Sequence, residues 1–245
     1  MDRLNRIFLI CIAFIVLTFC MWLTNADRYI SSLFYVPGRR WPGPGVTQDI
    51  WCFVYQVAPI PSIVLGVIAL FVLLLGIKYI SLRYYRRAAL FMLLLLLLGP
   101  GLLVNVVFKE NLGRPRPREV TDFNGNYAYH QFWEPGPTST NSSFPSGHAA
   151  IAFSTMGPWF LIRRRGNRKL EYGILGASIC WGGVVGYARI YQGAHFLSDI
   201  VWAGAFVYLT GEILAILLKP ELPPGNAAFK ISHCANIPLS DQRPV

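Results

Sequence analysis

Three separated segments of this chain carry side chains that could grip a phosphate and transfer it. They are Lys109-Glu-Asn-Leu-Gly-Arg-Pro-Arg116-Pro117, Pro145-Ser146-Gly147-His148 and Arg189-Ile-Tyr-Gln-Gly-Ala-His195-Phe-Leu-Ser-Asp199. A phosphate monoester is a dianion that repels nucleophiles. Its transfer therefore depends on positioning and on cations set against the equatorial oxygens. Arg116 and Arg189 offer planar two-donor forks, and Lys109 adds a compact charge. Taken singly, each cation could equally be a snorkelling or headgroup-facing side chain.

Pro145 and Ser146 stand just before an apolar run, where proline and serine mark a helix start. Free N–H groups at such an end attract anions, Ser146 can add a hydroxyl, and Gly147 permits close approach. A simple N-cap would use the same serine, and His148 would then be an interfacial histidine. In the functional reading His148 is the general acid that protonates a leaving alkoxide. His195 and Asp199 are four residues apart and share one face of a helix. An Asp that accepts the proton of one imidazole nitrogen leaves the other nitrogen free as a nucleophile. The alternative for Asp199 is a helix-start carboxylate paired with a neighbouring cation. The twelve Asp and Glu residues form no DxD or HExxH cluster, so no metal or other cofactor is expected.

These residues must be positioned by membrane helices. Of 245 residues, 54% are hydrophobic and 14% charged, against about 25% charged in a soluble domain. The expected fold is all-α: a polytopic membrane bundle of six spans, forming one domain over 1–245. The apolar runs are 7–23, 54–77, 88–108, 149–162, 172–187 and 197–218. The first resembles a signal peptide but lacks a good cleavage site, so it is read as an uncleaved anchor. The fourth and fifth are short, which sets His148 and Arg189 at headgroup depth. Pro59, Pro61 and Gly99-Pro100-Gly101 predict kinks. The net charge of +10 is scattered over short loops, a topology signal and not a nucleic-acid surface. The five cysteines show no disulfide or zinc spacing.

With six spans, 14 of the 22 lysines and arginines fall on the side of both termini and eight on the other. That places both termini in the cytoplasm and all three segments outside it. The polar stretch at about 110–144 is expected to form an exterior cap, and about 219–245 a cytoplasmic tail. Arg39-Arg40-Trp41 is either an interfacial anchor or a contact to an anionic head group. Glu212, buried in the last span toward the cytoplasm, is read as structural.

Lys-x6-Arg-Pro, Pro-Ser-Gly-His and Arg-x5-His-x3-Asp, in this order, resemble the type 2 phosphatidic acid phosphatase superfamily, which also contains vanadium haloperoxidases and glucose-6-phosphatase. The resemblance covers the third span to the sixth. It implies a six-helix membrane bundle and a metal-independent mechanism through a phosphohistidine. By position it makes His195 the nucleophile, Asp199 its orienting partner and His148 the acid. Lys109, Arg116, Ser146, Gly147 and Arg189 become phosphate ligands. The family usually has Ser before the arginine of the third block; here it is Ala188, which removes a hydroxyl but no catalytic group.

Two longer stretches look like the bacterial lipid A 4′-phosphatase branch. One is Gly99-Pro-Gly-Leu-Leu-Val-Asn-Val-Val-Phe-Lys109 with Asp122-Phe-Asn-Gly after it; the other is Gln192 to Asp199 running into Ile-Val-Trp-Ala-Gly. That branch implies a bacterial inner-membrane protein acting on lipid A from the periplasmic face. Undecaprenyl diphosphate, phosphatidylglycerophosphate and phosphatidic acid remain alternative substrates. A lipid-binding or transport protein on the same scaffold is the alternative from a different class, although binding alone needs only cations. The oligomeric state is open.

Overall fold

The computed structural model describes residues 3–43, 49–137, 142–163 and 166–222. The expected tail therefore lies, from residue 223 onward, outside the described residues. Helix α1 (Arg3–Leu23) turns into α2 (Ala26–Ser32) through a 61° bend. Asn25 sits at the bend with φ 50°, a left-handed conformation that Asn tolerates. Asp49 caps α3 (Ile50–Val57), accepting from the N–H groups of Trp51 and Cys52 at 3.1 and 3.0 Å. Pro59 marks the step into α4 (Ile60–Lys78), and α3 and α4 form one apolar path of 29 residues. Short α5 (Ile80–Arg83) leads into α6 (Arg86–Leu96).

From Leu97 to Phe108 the helix widens into a π-helix around Pro100. Proline has no N–H and its ring crowds the carbonyl four residues back, so the ordinary α ladder cannot pass through it. The wide turn ends at α7 (Lys109–Leu112), and Gly113 stops that helix with φ 61°. The cap follows. It contains two 3-10 turns, Pro117–Glu119 and Thr121–Phe123, and an isolated bridge between Val120 and Tyr127.

Helix α8 (Gly147–Phe153) is joined through the 3-10 turn Ser154–Met156 to α9 (Gly157–Ile162). Helices α10 (Arg168–Tyr191) and α11 (Leu197–Leu218) complete the bundle. Helix α8 packs against α10, α11 and the π-helix. Its Ala149, Ala150 and Ala152 are fully buried, and Phe153 occupies the space a Cβ would need at Gly182 of α10. Small residues let helix backbones approach where lipid offers no hydrophobic drive for association. Large apolar side chains such as Phe8, Ile15, Ile63, Phe71, Leu74 and Leu217 are exposed along the outer faces. On a membrane protein these faces meet lipid.

Four described helical paths are long and apolar enough to cross a membrane, and five if α1 and α2 count as one bent span. The expected sixth, at 149–162, is not a continuous helix. Residues 147–162 pass as two short helices and a 3-10 turn, about 24 Å at about 1.5 Å per residue, against a hydrocarbon core of about 30 Å. Among the described residues, length and hydropathy thus account for four or five of the expected six spans. The short segment packs among α10, α11 and the π-helix.

Candidate active site

The three segments come together where α7, α8, the end of α10 and the start of α11 meet. His195 is 1% exposed and lies in the turn between α10 and α11. Its Nδ1 is 2.6 Å from the carbonyl oxygen of Ser143. A carbonyl can only accept, so Nδ1 carries the hydrogen and Nε2 keeps its lone pair. Asp199 Oδ2 is 3.5 Å from the same nitrogen, beyond a good hydrogen bond. Asp199 is instead held by Arg114 Nη1, which donates to Oδ1 at 2.5 Å, and by the N–H of Phe196, which donates to Oδ2 at 2.8 Å. The Ser143 carbonyl is thus the nearer partner of Nδ1, and Asp199, the expected one, stands behind it as a longer and weaker contact. The alternative reading of Asp199, a helix-start carboxylate with a cation partner, is also realised.

That cation is Arg114, which sequence reasoning passed over. It has no solvent exposure. Nη1 also donates to Ser198 Oγ at 2.8 Å, Nη2 to Asp27 Oδ2 at 2.8 Å and to the Tyr129 hydroxyl at 3.2 Å, and Nε to the His130 carbonyl at 2.9 Å. The five N–H donors of a guanidinium are thus all used. Its plane also lies over the Phe196 ring at 4.4 Å. Asp27 accepts from the Ser198 N–H at 2.7 Å and the Ser198 hydroxyl at 2.5 Å. A carboxylate against the first N–H groups of a helix meets the positive end of its dipole. The bend after α1 therefore delivers Asp27 to the start of α11, and Arg114 ties Asp27 to Asp199. Burial pushes the Tyr129 phenol well above its usual value, with Asp27 adding to the rise. It stays a neutral donor.

Ser146 caps α8: its hydroxyl accepts from the Ala149 N–H at 3.4 Å. Its own N–H donates to the backbone carbonyl of Asp199 at 3.2 Å, joining the starts of α8 and α11. Gly147 is needed for packing as well as access, because Asn105 Oδ1 of the π-helix occupies the space of a Cβ there. Asn105 is fixed by a 2.7 Å hydrogen bond from its Nδ2 to the Pro100 carbonyl. The π-helix thus presses on the very step that presents His148.

The His148 ring lies tilted against Tyr55 of α3 with centroids 4.4 Å apart, and the Arg189 guanidinium lies 4.6 Å from the centroid of the same Tyr55 ring. Tyr55 gives no signal in the sequence as a site residue. Arg189 is 8% exposed and donates from Nη1 to Gln192 Oε1 at 2.6 Å. Arg116 is 6% exposed, and its backbone N–H donates to Glu119 Oε2 at 2.9 Å. Lys109, Gly147, His148 and Asn105 line a cavity of about 430 Å³ whose other walls include Ile63, Leu96 and Ile151.

The electrostatics are those of an anion site. Burial lowers the His195 imidazole to about 3; Asp199 opposes this, while Arg189 and Arg116 add to it. Burial lowers His148 to about 4, reinforced by Arg189, Lys109 and Arg116. Both rings are neutral near pH 7. The site holds three cations around two uncharged imidazoles, one of which has a free nitrogen lone pair. Among the described residues no three His, Cys, Asp or Glu side chains group as metal ligands. Ala188, the departure from the family pattern, is fully buried beside Val54, Ala58, Ala152 and Val185.

A sequence profile of the PAP2 superfamily matches residues 88–219. The chain is 38% identical over 135 residues to a lipid A 4′-phosphatase of Francisella tularensis subsp. novicida (strain U112), covering 55% of this chain and 60% of that protein. It is 39% identical over 118 residues to a lipid A 4′-phosphatase of Rhizobium leguminosarum, covering 46% and 48%. It is 32% identical over 143 residues to phosphatidylglycerophosphatase B of Bacillus subtilis (strain 168), covering 56% and 60%. The matched stretch thus spans about half to three fifths of these relatives. The profile takes in all three segments that carry the candidate site residues and more than half of the chain, and on that ground the chain belongs to the PAP2 superfamily.

Proposed function

We propose that this protein is a membrane lipid phosphatase that transfers a phosphate monoester to His195 and then to water, without a metal. The observation that carries the reading is a buried His195, its Nδ1 held by the Ser143 carbonyl, near Arg116 and Arg189, with Lys109 entering the same site beside His148, at one end of a membrane bundle.

The Ser143 carbonyl fixes the tautomer, and Nε2 attacks phosphorus. The cations take the charge of the equatorial oxygens, as a phosphoryl transition state requires. The bond to the lipid oxygen breaks as His148 gives that oxygen a proton. An empty site keeps His148 neutral. A bound dianion offsets the three cations that disfavour its protonation, so substrate and proton arrive together. Water then attacks the phosphohistidine and yields a proton to His148, and phosphate leaves with both imidazoles restored. Ser146 and Gly147 place α8, and Asp199 balances the imidazolium charge that develops on His195.

The relatives named for lipid A favour a lipid A phosphate as substrate, at the 4′ position. The mainly apolar cavity beside Lys109 and His148 suits an acyl-bearing molecule. The charge count favours cytoplasmic termini and a site on the periplasmic face of a bacterial inner membrane. A phosphatidylglycerophosphate substrate is the second reading, favoured by the Bacillus relative. Purified protein should release phosphate from a lipid monoester in the presence of a chelator. Mass spectrometry of lipid A with and without the gene separates the two substrates: an unchanged phosphorylation pattern would remove lipid A.

A further inference from the structure

A second cavity, of about 500 Å³, opens beside the site, within the range of about 300–1,000 Å³ usual for small-molecule pockets. Arg189 and Gln192 form the wall it shares with the phosphoryl site, and Arg39, Arg40, Trp41 and Arg118 form much of the rest. No Asp or Glu lines it among the described residues. Arg39, Arg40 and Arg118 are exposed, and among the described residues none of them pairs with a carboxylate. Arg189 is buried, yet its Nε has no hydrogen-bond partner, and neither has the indole N–H of Trp41. Four like charges around a void repel one another, and unpartnered buried donors carry a desolvation cost. An anion relieves both.

The cavity is fixed relative to His195. The Trp41 ring packs against Gly193, occupying the space of a Cβ, and Gly193 has φ 58°, a conformation that favours glycine. The Arg118 N–H donates to the Gly193 carbonyl at 3.0 Å. The turn that carries His195 is therefore braced by the walls of the second cavity, and an anion held there sits at a set offset from the transferred phosphate.

We propose that this cavity receives a second anionic group of the same lipid head group. The preferred substrate then carries two anionic groups on its head, one transferred at His195 and one retained against Arg39, Arg40 and Arg118. The inference rests on the phosphatase reading and narrows its substrate class.

The test uses two lipids with the same acyl chains, bisphosphorylated and monophosphorylated lipid A, on purified protein at high salt, where diffuse surface attraction is screened. The wild type should prefer the bisphosphorylated lipid. One to two charge-assisted hydrogen bonds correspond to a factor of about 10–100. In R39Q/R40Q/R118Q, a change confined to exposed side chains, kcat/KM for the bisphosphorylated lipid should fall by that factor, mainly through KM. The value for the monophosphorylated lipid should change less than about 3-fold. Equal losses on both lipids, or no loss on either, would overturn the proposal.

Thermal shift of H195A with each lipid reads the subsite without turnover. A larger shift with the bisphosphorylated lipid, abolished by adding the three arginine substitutions, supports the subsite even if the wild type releases no phosphate, an outcome that would defeat the phosphatase reading alone. Equal shifts would defeat the subsite.

Discussion

Helix α11 carries two fully buried carboxylates, Asp199 at its start and Glu212 thirteen residues on, about 20 Å away along the axis. Each pairs with a buried arginine. Their surroundings differ. Around Asp199 every donor of Arg114 is used, and the network reaches Asp27, Tyr129 and Ser198. Around Glu212, Oε1 accepts from Arg163 Nη1 and from the Tyr208 hydroxyl, both at 2.7 Å; Oε2 and Arg163 Nη2 have no hydrogen-bond partner, and Nη2 has only a long ion-pair contact to Glu221 at 3.9 Å. Arg163 instead lies over Trp159 and Phe160 at 5.2 and 5.0 Å. The first pair is closed on all sides and stands one turn from His195. The second is half-satisfied and touches no group of the site. Two similar pairs on one helix thus separate a device that positions chemistry from one that fastens helices.

Several changes break or sharpen this contrast. The largest effect falls on the nucleophile. His195→Ala should reduce kcat by about 10³-fold or more, measured as phosphate release in detergent, with the protein still folded by circular dichroism. Retained turnover would remove His195 from the chemistry.

Next comes the same substitution at both ends. Arg114→Lys keeps the charge but loses the fork. It should lower kcat about 10–100-fold through misplacement of α11 and the His195 turn, with KM within about 3-fold. Arg163→Lys should leave both constants unchanged. Equal kinetic losses in the two variants would erase the distinction.

Glu212→Gln should change turnover by less than about 2-fold while lowering stability by about 2 kcal/mol, because Arg163 loses the nearer of its two carboxylates and keeps only Glu221 at 3.9 Å. Denaturation in detergent measures this, and a large loss of turnover per folded molecule would contradict it.

The smallest effect is on acid stability. His195 lies at about 3 and His148 at about 4 in the folded protein, against 6.5 for an ordinary histidine. As pH falls below about 6.5 the unfolded chain takes up protons that the folded one refuses. Stability is therefore full above that value and is lost progressively toward about pH 4 and below. Melting temperatures should show this slope, and His195→Asn should flatten it. An unchanged slope would mean that His195 is not held neutral.

Much of the site was legible because its side chains come in fixed sequence spacings. His195 and Asp199 keep their four-residue spacing, although His195 lies in the turn two residues before α11 and not on the helix face expected for both, and Ser146 and His148 stand before an apolar run. The partners that fix them were not legible, for physical reasons. The Ser143 carbonyl that holds His195 belongs to the backbone, which every residue shares. Arg114 is one of three alternating arginines; burial separates it from Arg118, and its pairing with Asp27 and Asp199 separates it from Arg116, which is also buried. Asp27 had a signal that went unused: an ionisable residue just past an apolar run, expensive unless it has a partner. The all-helical fold is legible in the apolar runs, but the 3-10 break inside 149–162 is not, because hydropathy does not report it. Around Gly99-Pro100-Gly101, where the sequence predicts a kink, the helix is a π-helix, and Asn105 of that stretch lies against Gly147.

The central claim is that phosphate passes through His195 Nε2. The direct measurement is to mix purified protein with its lipid substrate, quench in alkaline detergent, which preserves phosphohistidine, and locate the phosphoryl group by mass spectrometry. The account predicts a phosphoryl group on the peptide bearing His195, bonded at Nε2 and absent from His195→Gln. A phosphoryl group on His148, or none on any histidine during undiminished turnover, would contradict it.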